Sequence, residues 1–124
     1  MGIEAIGGPN PEGLPLSEAI MAGDFIFVSG MVGFGSDGKI VSGGIAAETD
    51  QIMKDANELL RKAGAGLEKV VKVTVYLADA DDFEPFNSAY ARHISGLPPA
   101  RIGIVAAFTI DVRVEMDFVA YVGE

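Results

Sequence analysis

Between Gly44 and Ala63, Ile52, Ala56, Leu59 and Ala63 fall on one stripe at helical spacing, widened by Met53 and Leu60. Asp50, Lys54, Asp55, Glu58, Arg61 and Lys62 lie away from it. The spacing predicts an amphipathic helix that stops at Gly64, covers a sheet with one face and meets water with the other. Elsewhere the period is two. In "LEKVVKVTVYLAD" Val71, Val73, Val75 and Leu77 alternate with Lys72, Thr74 and Tyr76, a β-branched strand with one core face. "EAIMAGDFIFVSG" reads as two strands, Glu18 to Met21 and Asp24 to Ser29, joined at Ala22-Gly23. "FGSDGKIV" reads as a turn centred on Asp37-Gly38. "DDFEPFNSAYARHISG" has acidic residues in its first turn and Gly96 after its end, the marks of a second helix. "RIGIVAAF" and "VRVEMDFVAYV" close the chain as two strands around a short "TID" turn. The opening "GGPNPEGLPL" is dense in Gly and Pro and reads as an extended or looped lead-in.

The resulting order is two strands, helix, strand, helix, two strands, an α+β pattern within one domain spanning residues 1–124. Helices on one face of the sheet leave the other face in need of cover, which a second subunit usually supplies, so an oligomer is expected.

Composition narrows the chemistry. The 124 residues contain no cysteine and one histidine, His93, which removes thiolate chemistry and argues against a protein-only zinc site. No apolar run approaches the roughly 20 residues that span a bilayer, and no basic segment precedes an apolar core at the N-terminus. A cytoplasmic protein with no membrane partner is the expectation. A formal net charge of −9 with scattered basic residues disfavours nucleic acid as a partner. "GFGSDG" has the glycines of a phosphate loop without its lysine, and no serine sits in a nucleophile elbow.

Two charged residues in the apolar closing strands stand out. Alternation puts Arg101, Gly103, Val105 and Ala107 on one face, and Gly103 leaves room for a ligand beside the guanidinium. A planar guanidinium over a partly apolar floor suits a carboxylate, whose two oxygens its fork matches. The bland alternative for Arg101 is a solvated residue or a salt-bridge partner. In the last strand Val112, Val114, Met116 and Phe118 share a face, leaving Arg113, Glu115 and Asp117 on the other. Tyr76, Tyr90 and Tyr121 read most simply as edge or interface aromatics, and His93 as an exposed charge near a helix end. A two-residue hairpin pairing Ala107 with Val112 would put Glu115 on the face opposite Arg101, so bringing both to one ligand requires a bulge or a neighbouring subunit.

The runs "AGDFIFVSGMV", "IAAETDQIMKDANELLRKAGAGLEKVVKVTVYLADADDF", "FNSAYARHI", "PPAR" and "VEMDFVAYV" together resemble, in order and over nearly the whole chain, the RidA (YjgF-type) family of enamine/imine deaminases, formerly described as endoribonuclease L-PSP. The resemblance implies a chorismate-mutase-like α+β fold, a mixed sheet with two helices on one face, and a homotrimer with a ligand cleft at each subunit interface. It implies that Arg101 clamps the substrate carboxylate, that Glu115 holds the attacking water, and that the Gly30 backbone lies against the ligand. Asn87 and Tyr90 match the family's N-x-x-Y. The chain also departs from the pattern. Leu14-Pro15-Leu16-Ser17 stands where the family has G-P-Y-S, so Leu16 replaces an active-site tyrosine. Gly103 stands where Cys or Thr is usual, Phe108-Thr109 replaces the L-P of the penultimate turn, and the Arg-to-Glu segment is one residue shorter.

The expected reaction is cofactor-free hydrolysis of 2-imino or enamine acids such as 2-aminoacrylate to 2-oxo acids and ammonia. Arg101 and Glu115 are its catalytic pair, and Gly103, Gly30, Leu16, Asn87 and Tyr90 complete the substrate site. Without the phenol, the proton for an enamine must come from another group or from solvent, and the apolar space at Leu16 favours bulkier substrates. The alternative is a noncatalytic binder of 2-oxo acids that keeps the carboxylate pocket.

Overall fold

A computed structural model describes residues 2–123. Its elements are β1 (Ile3–Pro9), β2 (Ser17–Ala22), β3 (Phe25–Met31), α1 (Ile45–Arg61), β4 (Val70–Leu77), α2 (Phe83–Ala91), β5 (Ala100–Val105) and β6 (Val114–Tyr121). The six strands form one sheet in the order β1-β2-β3-β6-β4-β5, antiparallel throughout except for the parallel pair β4–β5.

The expected elements are present, with four corrections to the strands and their turns. Ala22 pairs with Phe25, so the β2–β3 turn is Gly23-Asp24 rather than Ala22-Gly23. Gly23 has φ of 59°, which only glycine adopts without cost at the head of so tight a turn. The lead-in is partly strand, because Ile3 to Ile6 pair with Ala22 to Ala19 before a register shift at the glycines. Val71 is exposed rather than core, since a shift between Val70 and Lys72 moves it out of the alternation that buries Val73, Val75 and Leu77. The two closing strands are not neighbours. β4 lies between β5 and β6, so no hairpin pairs Ala107 with Val112, and β5 ends at Val105.

This order follows from the helices. A chain that returns parallel to its own strand needs a crossover, and α2 provides it between β4 and β5. The helix α1 provides another between β3 and β4, which both run antiparallel to the interposed β6. Ile52, Met53, Ala56, Leu59 and Leu60 of α1 and Phe86 of α2 pack on Ile26, Val28, Val73, Val75, Met116 and Phe118. The helix α1 stops where expected: Gly64 has φ of 78°, and the Ala65 N–H donates to the Leu60 carbonyl. The helix α2 ends earlier, at Ala91. His93 is not the free surface charge expected, because its Nε2 lies 2.8 Å from Asp50 Oδ1 and ties the end of α2 to α1.

Among the described residues no helix covers the opposite sheet face. Phe25 and Phe27 lie there 40% and 47% exposed, with Phe25 packed on Tyr121 at a ring separation of 5.2 Å, and Ile102 and Ile104 extend the apolar surface onto β5. No described helix is long and apolar enough to cross a membrane.

Candidate functional site

Glu115 projects from β6 onto this uncovered face, opposite Tyr76 of β4. Beside it the β3–β6 register shifts between Val28 and Met31, a bulge that presents the Gly30 backbone to the carboxylate. Gly30 is marked by close approach rather than by backbone angle: its φ is not positive, and an added Cβ would push the end of the Glu115 side chain out of its place. Burial pushes the Glu115 carboxyl above the ordinary range, and the neighbouring Asp117 charge adds to that. Asp117 Oδ2 in turn accepts a hydrogen bond from the Tyr76 hydroxyl at 3.2 Å.

Glu115 and Gly30 sit at one wall of a cavity of about 480 Å³. The segment before β2 forms another wall, where the Leu16 N–H donates to the Leu14 carbonyl and both leucine side chains stay half exposed. Phe34, Leu59 and Ile110 add apolar surface. Every charged side chain lining the cavity among the described residues is acidic: Glu12, Glu18, Asp55 and Glu115. Asp55 is raised by burial and by Glu58 against the opposing hydrogen bond from Gln51 and the charge of Lys54. Periodicity could not single out Glu12, Glu18 or Asp55, since each lies outside an apolar pattern and only the tertiary fold gathers them.

Arg101 is elsewhere. Its Cα pairs with that of buried Val73, so its side chain lies on the helix-covered side, at the free edge of β5. There it meets the aromatic residues of α2, with Tyr90, Phe86 and Phe83 ring centroids at 4.9, 5.6 and 5.8 Å from the guanidinium carbon. Gly103, two residues on, faces open space. Asn87 is half buried on the same helix. Tyr90 is not an edge aromatic: it is 7% exposed, stacks on Phe86 at 5.5 Å, and its hydroxyl is buried without a partner.

The expected site residues therefore form two groups. Glu115, Gly30 and Leu16 share the cavity, while Arg101, Gly103, Asn87 and Tyr90 gather at the β5–α2 edge on the other side of the sheet. The opposite-face placement of Arg101 and Glu115 holds, through an intervening strand rather than a hairpin. Among the described residues no group of three or more His, Cys, Asp or Glu is arranged to hold a metal ion.

The model of the family described as Endoribonuclease L-PSP matches residues 9–122. A RutC family protein of Pyrococcus abyssi is 41% identical over 91% of this chain and 90% of its own length. The human protein named 2-iminobutanoate/2-iminopropanoate deaminase is 40% identical over 88% of this chain and 81% of its own. Among solved structures, yeast Mmf1 superimposes with a TM-score of 0.89 at 30% identity, covering 96% of this chain and 98% of that one. RidA from a Psychrobacter species gives 0.84 at 28% identity, covering 98% of each. A relative from yeast is named as mitochondrial and one from Arabidopsis thaliana as chloroplastic, so membership does not carry a cytoplasmic location with it. The six-stranded sheet, the two helices on one face and these matches have one explanation: the chain belongs to the Rid (YjgF) family described by the L-PSP model.

Proposed function

We propose that this chain is an enzyme that hydrolyses 2-imino acids to 2-oxo acids and ammonia in a cleft between two of its copies, with three copies closing into a ring. The observation that carries the reading is the division of the site. Among the described residues, the cavity around Glu115 has four acidic side chains and no basic one. Arg101, without an acidic partner among the described residues, stands at a sheet edge on the other face. A second copy seated on the apolar face sets its Arg101 toward that acidic cavity, covering Phe25, Phe27 and Ile102 at the same time. Relatives named as 2-iminobutanoate/2-iminopropanoate deaminases support the chemistry.

In this cleft the Arg101 fork takes both oxygens of the substrate carboxylate, leaving the imine carbon near Gly30 and Glu115. The Glu115 carboxylate removes a proton from water as the water oxygen bonds to C2 and the C=N π pair moves to nitrogen, and Glu115 then gives that proton to the nitrogen, completing the carbinolamine. Proton transfer from the carbinolamine hydroxyl through Glu115 to nitrogen then lets the C–N bond break, the oxygen lone pair closing the carbonyl and ammonia departing. A carboxyl raised by burial suits both directions of transfer better than an ordinary one. The wall at Leu14 and Leu16 is apolar, so substrates with larger aliphatic side chains are the expected ones.

The test generates 2-iminobutanoate with an amino-acid oxidase and follows ammonia release, with light scattering on the same sample. Accelerated release by particles of three times 12.9 kDa is expected. Binding of 2-oxobutanoate without acceleration would establish a noncatalytic binder instead.

A further inference from the structure

Arg101 lies over three aromatic rings supplied by residues 83, 86 and 90, all within the roughly 6 Å at which a ring face attracts a cation. Their spacing of three and four places them on one stripe of α2, and that stripe faces the edge strand β5. Two of the three have another purpose: Phe86 is fully buried and Tyr90 nearly so, both within the core. Phe83 does not. It is 46% exposed, at the first position of the helix, where core packing would not demand a large apolar ring. No ion pair or side-chain hydrogen bond engages Arg101 among the described residues, whereas Arg61, Arg92 and Arg113 each reach a carboxylate.

The chemistry of those two kinds of support differs. A carboxylate fixes a guanidinium by occupying its N–H donors and cancelling its charge, and an arginine held that way has little left for a substrate. Ring faces restrict the same group through the quadrupole and leave the in-plane donors free. From this geometry we infer that the Phe83–Phe86–Tyr90 stripe is a positioning platform that holds Arg101 ready for an incoming carboxylate, and that Phe83 is the member whose service to Arg101 can be separated from folding. The inference rests on the proposed carboxylate-binding role of Arg101. It also gives Tyr90 a different part from the one its sequence position suggests: with its hydroxyl buried, Tyr90 acts through Arg101 and not on the ligand.

Phe83→Leu keeps apolar bulk and removes the π face, and Phe83→Trp restores one. Both substitute a half-exposed residue, so the chain folds. Calorimetry with 2-oxobutanoate on the intact assembly should show Phe83→Leu weakening binding by about two- to fivefold, as loss of one cation–π contact requires, with Phe83→Trp close to the parent. The Arg101 Nε–H resonance, assigned by its loss in Arg101→Lys, should move downfield in Phe83→Leu as the ring's shielding disappears. Equal affinity and an unmoved resonance in Phe83→Leu would overturn the platform, as would equal weakening by Leu and Trp. Failure of the underlying reading looks different: Arg101→Lys would then bind 2-oxobutanoate as well as the parent, and the platform would have no ligand to serve.

Discussion

The two faces of this sheet are made by the same strands, yet they follow different rules. On the covered face Ile26, Val28, Val73, Val75, Met116 and Phe118 alternate strictly, every one of them buried. On the other face Phe25, Phe27 and Val119 stand in one cluster with Lys72, Asp117, Tyr76 and Glu115 along the adjoining rows. The first set satisfies packing alone. The second mixes half-exposed rings with a carboxyl held above its ordinary range, an arrangement that costs stability in a lone chain and suits a surface that meets another copy and a ligand. Apolar residues thus have two uses in one strand pair, and burial within the single chain separates them.

Substitutions on the two faces should part company. Phe118→Ala, on the covered face, should lower unfolding stability by about 3–5 kcal/mol, the cost of a cavity among α1, β4 and β6, read by denaturant titration. A loss below about 1 kcal/mol would mean that this face packs loosely. Glu115→Gln, on the open face, should instead cut turnover by about 10²–10⁴-fold. Its stability at neutral pH should hold or rise. A carboxyl whose folded pKa is raised contributes stability only below its unfolded value and loses it as pH climbs through the folded one, so replacing it removes a cost. A clear loss of stability would make Glu115 a structural residue. The smallest effect belongs to Asp117. Since its charge helps raise Glu115, Asp117→Asn should move the acid limb of the kcat/KM profile to lower pH, while burial keeps the limb above the ordinary carboxylate range. An unmoved limb would assign the shift to burial alone.

The covered face was largely legible in the sequence, because period and burial agree there: the stripe Ile52, Ala56, Leu59 and the alternation Met116, Phe118 both name their own core side. Where a residue deviates, as Val71 does, a bulge displaces the alternation, and nothing in the Val-Val-Lys run signals it. Strand β1 escaped reading since Gly7 and Gly8, both at positive φ, interrupt its pairing and erase any alternation. Neighbours in the sheet are still less legible. The closing segment shows two strands and a turn, and only the helix α2 crossover, which seats β5 outside β4, decides that the two are not paired. Arg101 and Glu115 were identifiable as charges in apolar strands, but the rings beneath Arg101 and the partner of His93 lie on other elements, joined by packing that no local pattern records.

The claim that one ligand is gripped by Arg101 of one copy and Glu115 of the next can be tested by complementation. Arg101→Gln and Glu115→Gln chains, each inactive alone, are mixed in equal amounts, unfolded, refolded together and assayed for ammonia release from 2-iminobutanoate. If the two groups come from different copies in a closed ring, an intact pair forms at about one interface in four, and about a quarter of the parent activity returns. If both groups serve the ligand from the same copy, every site in the mixture lacks one of them and no activity returns, which would contradict the account.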